Sequence, residues 1–170
     1  MVKILRYSLA LSVLLVFAAP AFAQDYPRFQ LAPGYGNLKF GIPNAGLETK
    51  RHSGFTMDTN YNFSPALGLD IFTGYYSLGN GYTLYTNTFG FNATLRKKEK
   101  IIPYGTAGFG FGYLNTGNQA MATRIGGGAD FPIGDSLAIR ADVTHMGFHF
   151  FHEWNGGMNV SVGIVLTLSQ

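Results

Sequence analysis

Apolar side chains fall on every second residue along most of this chain, the period of a β-strand and not of a helix. The alternation is cleanest from Phe55 to Phe63, where Phe55, Met57, Thr59, Tyr61 and Phe63 oppose Thr56, Asp58, Asn60 and Asn62. Phe29 to Tyr35 reads as a strand before it. Leu67 to Tyr76, Tyr85 to Leu95 and Pro103 to Tyr113 read as strands after it. Ala122 to Met146 is a hairpin turning at Phe131-Pro132-Ile133-Gly134-Asp135. Its apolar face carries Thr123, Ile125, Ala129, Leu137, Ile139 and Val143, and its polar face Arg124, Asp130, Arg140, Asp142 and Thr144 among glycines. Met158 to Leu168 alternates once more. Eight strands joined as hairpins can close on themselves and leave no edge.

Breaks in the pattern place the turns. Ser64-Pro65, Arg96 to Lys100 and Pro132 to Asp135 belong to one rim. Phe40 to Gly54, Leu78 to Gly81, Asn115 to Asn118 and the aromatic stretch Gly147 to Gly157 belong to the other, as two long loops and two short ones. The glycines of Gly105 to Gly112 are spaced in twos and lead into no helix. They suit an inward face that needs room for bulky neighbours, not a phosphate-cradling loop.

A barrel with period-two walls can bury its apolar face, as lipocalins do, or turn it outward to lipid. Only 12% of the 170 residues are charged, about half of what covers a typical soluble domain. The polar face is mostly Gly, Thr, Asn and Ser, while Lys39, Lys50 and Lys97 to Lys100 sit in expected turns or loops. Tyr35, Tyr61, Phe63, Tyr75, Tyr85 and Tyr113 gather near strand ends, where aromatic girdles meet headgroups. The fold class expected is therefore all-β, an eight-stranded antiparallel up-and-down transmembrane β-barrel with the apolar face toward lipid.

The first residues change where that barrel is placed. Lys3 and Arg6, an apolar run from Leu9 to Ala19, and Ala21-Phe22-Ala23 have the layout of an export signal. Residues 1–23 are expected to be a cleaved signal peptide and residues 24–170 the barrel. There is no cysteine, which excludes disulfides and thiolate metal sites. A net charge of +3 without a dense basic patch gives no reason to expect nucleic acid.

Ile102-Pro103-Tyr104-Gly105, Gly126-Gly127-Gly128-Ala129-Asp130-Phe131 and Leu137-Ala138-Ile139-Arg140-Ala141-Asp142 together resemble the outer-membrane β-barrel domain family, with its OmpA- and OmpX-type members. The resemblance implies an outer-membrane location and a non-enzymatic role in envelope integrity or surface interaction. It also implies contact with outer-membrane lipid and lipopolysaccharide, dependence on the barrel-assembly machinery, a surface ligand at the outer loops, and a monomer.

The candidate chemistry is inward. Arg28, Asp58, Asp70, Arg124, Asp130, Arg140 and Asp142 all take the polar parity, and charges confined in a narrow interior must pair. With a turn centred near Ile133 and Gly134, Arg140 lies opposite Gly128 and diagonal to Asp130, and Asp142 lies opposite Gly126 and diagonal to Arg124. The glycines then supply space for the arginines. Eight strands enclose a bore just wide enough for side chains, so a filled lumen is expected and a narrow small-solute or ion channel is the alternative. A lipid A modifying enzyme is the second alternative, but His145 points toward lipid and no spacing sets a base against a nucleophile. His145, His149, His152 and Glu153 read as rim residues, and neither a metal nor a cofactor is expected.

Overall fold

The structure, a computed structural model, describes residues 26–43, 46–96 and 100–169. The expected signal peptide, the Lys97 to Glu99 part of the charged turn, and Asn44 and Ala45 of the first loop lie outside the described residues. Eight strands follow in chain order: β1 (Phe29–Ile42), β2 (Leu47–Asn62), β3 (Leu67–Gly79), β4 (Tyr82–Thr94), β5 (Ile102–Leu114), β6 (Gln119–Pro132), β7 (Leu137–Phe150) and β8 (Glu153–Ser169). Each pairs antiparallel with its neighbours, and β8 returns to β1, so the sheet is a closed barrel.

The register fixes how far the strands lean. From Tyr35 one hydrogen-bonded row runs through Phe55, Tyr75 and Tyr85 to Tyr113 on β5. The row in the other direction runs through Val162, Ala141 and Ala129 to Pro103, also on β5. The two ends lie ten residues apart on one strand. For eight strands that stagger corresponds to a tilt of about 40° and a bore that side chains can fill.

Side chains divide as the period demands. Phe55, Phe89, Phe91, Phe109, Phe111, Ile125, Val162 and Ile164 are exposed on the outer wall. Thr56, Asp58, Asn60, Asp70, Thr88, Arg124 and Arg140 are buried inside. The shortest strands have 13 residues and β8 has 17, whereas a tilted strand crosses a bilayer in about 9–11.

That surplus corrects two loops. The expected outer loop from Phe40 to Gly54 is mostly strand, because β2 begins at Leu47 and pairs with β1 through Lys39↔Arg51 and Phe40↔Lys50. Glu48, Thr49, Lys50 and Arg51 are all exposed, so polarity stops alternating toward the tip of the hairpin although the backbone ladder continues. The expected aromatic loop from Gly147 to Gly157 is also strand, and the turn is just Phe151-His152 between Phe150 and Glu153. Here the alternation is hidden for the opposite reason. The inward residues Met146, Phe148 and Phe150 are as apolar as lipid-facing ones. All four connections at this end are therefore short.

Candidate functional site: a lumen closed in two layers

The inner layer, toward the start of β1 and the end of β8, is ionic. Arg124 projects from β6 across the bore, where its Nη1 donates to Asp58 Oδ1 on β2 and to Asp70 Oδ2 on β3, both at 2.8 Å. Thr106 Oγ1 donates to the same Asp70 oxygen at 2.9 Å. The guanidinium lies 4.2 Å from the centre of the Phe72 ring, a cation–π contact that occupies a face hydrogen bonds cannot use. Arg140 grips Asp130 through two parallel bonds, Nε to Oδ1 at 2.7 Å and Nη2 to Oδ2 at 2.9 Å, and lies 4.4 Å over Tyr104. Asn60 joins the two groups. In the orientation that satisfies both ends of its amide, its nitrogen donates to Asp70 Oδ1 and its oxygen accepts from Arg140 Nη1, each at 3.1 Å.

Two expected members take other places. Asp142 faces Gly128, not Gly126, and accepts from Ser161 Oγ at 2.7 Å instead of meeting Arg124. The reason is the position of the hairpin turn: Asp130 lies opposite Arg140 and Pro132 opposite Ala138, one residue further along than a turn centred on Ile133-Gly134 allows. A one-residue shift of the centre moves every pairing by two and keeps each side chain on its face. Arg28 precedes β1 and is half-buried at the rim, with its Nε unpartnered. Its backbone NH donates to the Ser169 carbonyl at 2.8 Å and ties the approach to β1 to the end of β8.

The glycines do a different job from the one expected. A Cβ at Gly126 would strike the Val143 carbonyl oxygen, and one at Gly128 the Ala141 carbonyl oxygen. At Gly110 the obstacle is the Asn87 carbonyl oxygen. In each case backbone of the adjoining strand fills the space, so these glycines permit the tight coiling of a narrow barrel and do not hold a pocket open for arginines. Gly112 differs, because its Cβ would meet the Phe148 ring at 2.8 Å.

That ring belongs to the outer layer, which the polarity of the chain did not reveal. Leu38, Phe40, Ile42, Phe72, Tyr76, Leu84, Leu114, Met146, Phe148 and Phe150 form one buried cluster inside the bore. Phe40 meets Phe148 edge to face, with ring centres 5.1 Å apart, and Phe148 stacks near Phe150 at 6.1 Å. Tyr76 lies at its lower edge and spends its hydroxyl on Asn159 Oδ1 at 3.0 Å. Continuing the count of two from Arg140 through Thr144 to Phe148 and Phe150 would have found this layer. A hollow of about 270 Å³ at the termini end stops at Asp130, Gln30 and Arg96, and one of about 210 Å³ at the other end is floored by Ile42, Leu78 and Leu114.

A closed eight-stranded wall, apolar outside and charged within, is the form that crosses a bilayer without an open sheet edge. The outer membrane protein beta-barrel domain matches residues 9–167. The chain belongs to that family. It is a protein of the bacterial outer membrane. No curated protein matches it in sequence. Among solved structures it is similar to Neisserial surface protein A, at 10% identity and a TM-score of 0.70, with 82% of this chain and 97% of that one covered. It is also similar to OprG of Pseudomonas aeruginosa, at 8% identity and a TM-score of 0.55, with 84% and 96% covered. A third is Ail of Yersinia pestis in complex with the heparin analogue sucrose octasulfate, at 16% identity and a TM-score of 0.52, with 81% and 97% covered. At such identities the likeness is one of fold.

Proposed function

We propose that this protein acts as a sealed, non-enzymatic outer-membrane barrel that contributes to envelope integrity or surface contact through its wall and outer turns. The carrying observation is the double closure of the lumen, by the ion pairs of Arg124 and Arg140 below and by the Phe40, Phe148 and Phe150 layer above. An ion would have to displace a buried ion pair and then cross an apolar layer with no polar partner, and each step is costly. For chemistry a base would have to face a nucleophile. His145 is exposed on the outer wall, and the buried Ser161 donates to Asp142. The complex of Ail with a heparin analogue supports surface contact as a use for a barrel of this shape.

The start of β1 and the end of β8 share a rim with the β2–β3, β4–β5 and β6–β7 connections. That rim is read as periplasmic, because insertion from the periplasm then carries four hairpin turns across the bilayer and leaves the start of β1 and the end of β8 on the side of entry. The test is planar-bilayer conductance. Silence is expected for the wild type and for Arg140→Ala, since the apolar layer remains. Steady, ion-selective openings that change with Arg140→Ala would overturn the reading in favour of a narrow channel.

A further inference from the structure

Near their outer ends several strands present an aromatic ring to the lipid. Tyr75 lies four residues before Gly79, Tyr85 three after Tyr82, Tyr113 one before Leu114 and Trp154 one after Glu153, and all are exposed. Rings at that height mark the boundary between hydrocarbon and headgroups. On β1 and β2 the lipid-facing positions at the matching height are instead Lys39, three residues before Ile42, and Arg51, four after Leu47.

The register sets Lys39 and Arg51 directly opposite one another, an arrangement that destabilises a strand pair when the charges are alike. Neither forms an ion pair among the described residues. Arg51 Nη1 donates to the neutral Asn37 Oδ1 at 3.2 Å, and Asn37 Nδ2 donates to Ser53 Oγ at 3.3 Å. Lys50, by contrast, is paired with Glu48 at 2.6 Å and has the lumen-side parity of the buried His52. Two exposed cations with spare donors thus stand side by side, one of them braced, where the belt of rings is interrupted. Below them on the same face Tyr35 and Phe55 meet edge to face at 6.0 Å, forming an apolar shelf.

We propose that Lys39 and Arg51, with Asn37 and Ser53, form a binding site for a phosphate on the lipid A headgroup of lipopolysaccharide in the outer leaflet, whose acyl chains descend over Tyr35 and Phe55. A phosphate monoester carries close to two negative charges, accepts from both cations at once and removes their mutual repulsion. The proposal rests on the reading that the rim opposite the termini is the outer one.

The folded protein in detergent micelles is titrated with rough lipopolysaccharide bearing its lipid A phosphates, with the same glycolipid dephosphorylated, and with phosphatidylglycerol, binding being read by native mass spectrometry. The wild type should prefer the phosphorylated glycolipid by about tenfold or more over either alternative. The chain carrying both Lys39→Gln and Arg51→Gln should lose that preference, whereas Lys50→Gln and Lys39→Arg should keep it. Heat-shifted gel mobility establishes that each variant is folded. Equal affinity for the three lipids, or a preference that survives in the double variant, overturns the site. Sidedness is read separately. Thr116→Cys supplies the sole thiol in a chain without cysteine, and an impermeant maleimide should label it on intact cells. Absence of labelling overturns the orientation, and with it the outer-leaflet site, but leaves the sealed-lumen reading standing.

Discussion

Asp130 and Arg140 stand directly opposite one another in the β6–β7 ladder, and the guanidinium closes on both carboxylate oxygens. Direct opposition matters because neither side chain must reach past a neighbour. The fork geometry of arginine then meets the carboxylate in its bidentate form. Tyr104 lies against one face of the guanidinium, and both members of the pair are buried, although Asp130 lines the hollow at the rim where β1 starts and β8 ends.

Arg140→Leu should destabilise the folded barrel by about 3–5 kcal/mol, since it leaves Asp130 charged, buried and without its partner. Adding Asp130→Leu to the same chain should recover most of the loss, because a buried pair replaced whole by apolar groups costs little. Urea unfolding in lipid vesicles measures both. A single variant as resistant as the wild type would show that the pair does not hold the lumen together.

Gly110→Ala should cost about 1–3 kcal/mol, the range for forcing extra atoms into a packed region, because its Cβ would enter the Asn87 carbonyl on β4. Gly134→Ala is the matched control, with nothing within 4 Å of its Cβ and no positive φ, and should stay within about 0.5 kcal/mol of the wild type. Unfolding midpoints of the two variants side by side separate backbone crowding from a general intolerance of added methyl groups.

Phe40→Ala and Phe148→Ala should each cost about 3–5 kcal/mol, and the double variant less than the sum, because the rings touch one another edge to face. A double-variant cycle by urea unfolding reads the coupling. Strict additivity would mean that the two rings pack independently and that the outer layer is not one unit.

Strand number, the parity of each strand and the direction of the apolar face were all legible in the chain, because the period of two survives wherever one side meets lipid and the other a polar bore. It fails in two places. Toward the tip of the β1–β2 hairpin Glu48 to Arg51 is polar on both faces, and in the half of the bore away from the ion pairs Met146, Phe148 and Phe150 are apolar on the inner face. Contrast vanishes in both, so strands read as loops. The inward charges were identifiable by parity, but their partners were not. Arg124 reaches Asp58 and Asp70 on strands far away in sequence, and Asp130 meets Arg140 through a turn centre displaced by one residue. Parity assigns a face, whereas pairing also needs the stagger of the closed barrel.

The β7–β8 turn offers the last prediction. Its two central residues, Phe151 and His152, both have positive φ, 51° and 68°, which a two-residue hairpin of type I′ demands. The β3–β4 turn at the same end meets that demand with Asn80 at 51° and Gly81 at 79°, the residue types that accept it with least strain. An ordinary side chain held there costs on the order of 1 kcal/mol or more. Replacing Phe151-His152 with Asn-Gly should therefore stabilise the barrel by about 1 kcal/mol and raise the temperature at which its gel mobility shifts. The countervailing contact is the Phe151 ring against Phe150, 6.2 Å between centres. Phe151→Asn forfeits it, but His152→Gly alone does not, so the single glycine variant should carry most of the gain. Should His152→Gly leave the transition unmoved while the double replacement lowers it, the turn is held by the aromatic contact and strain at His152 is not limiting.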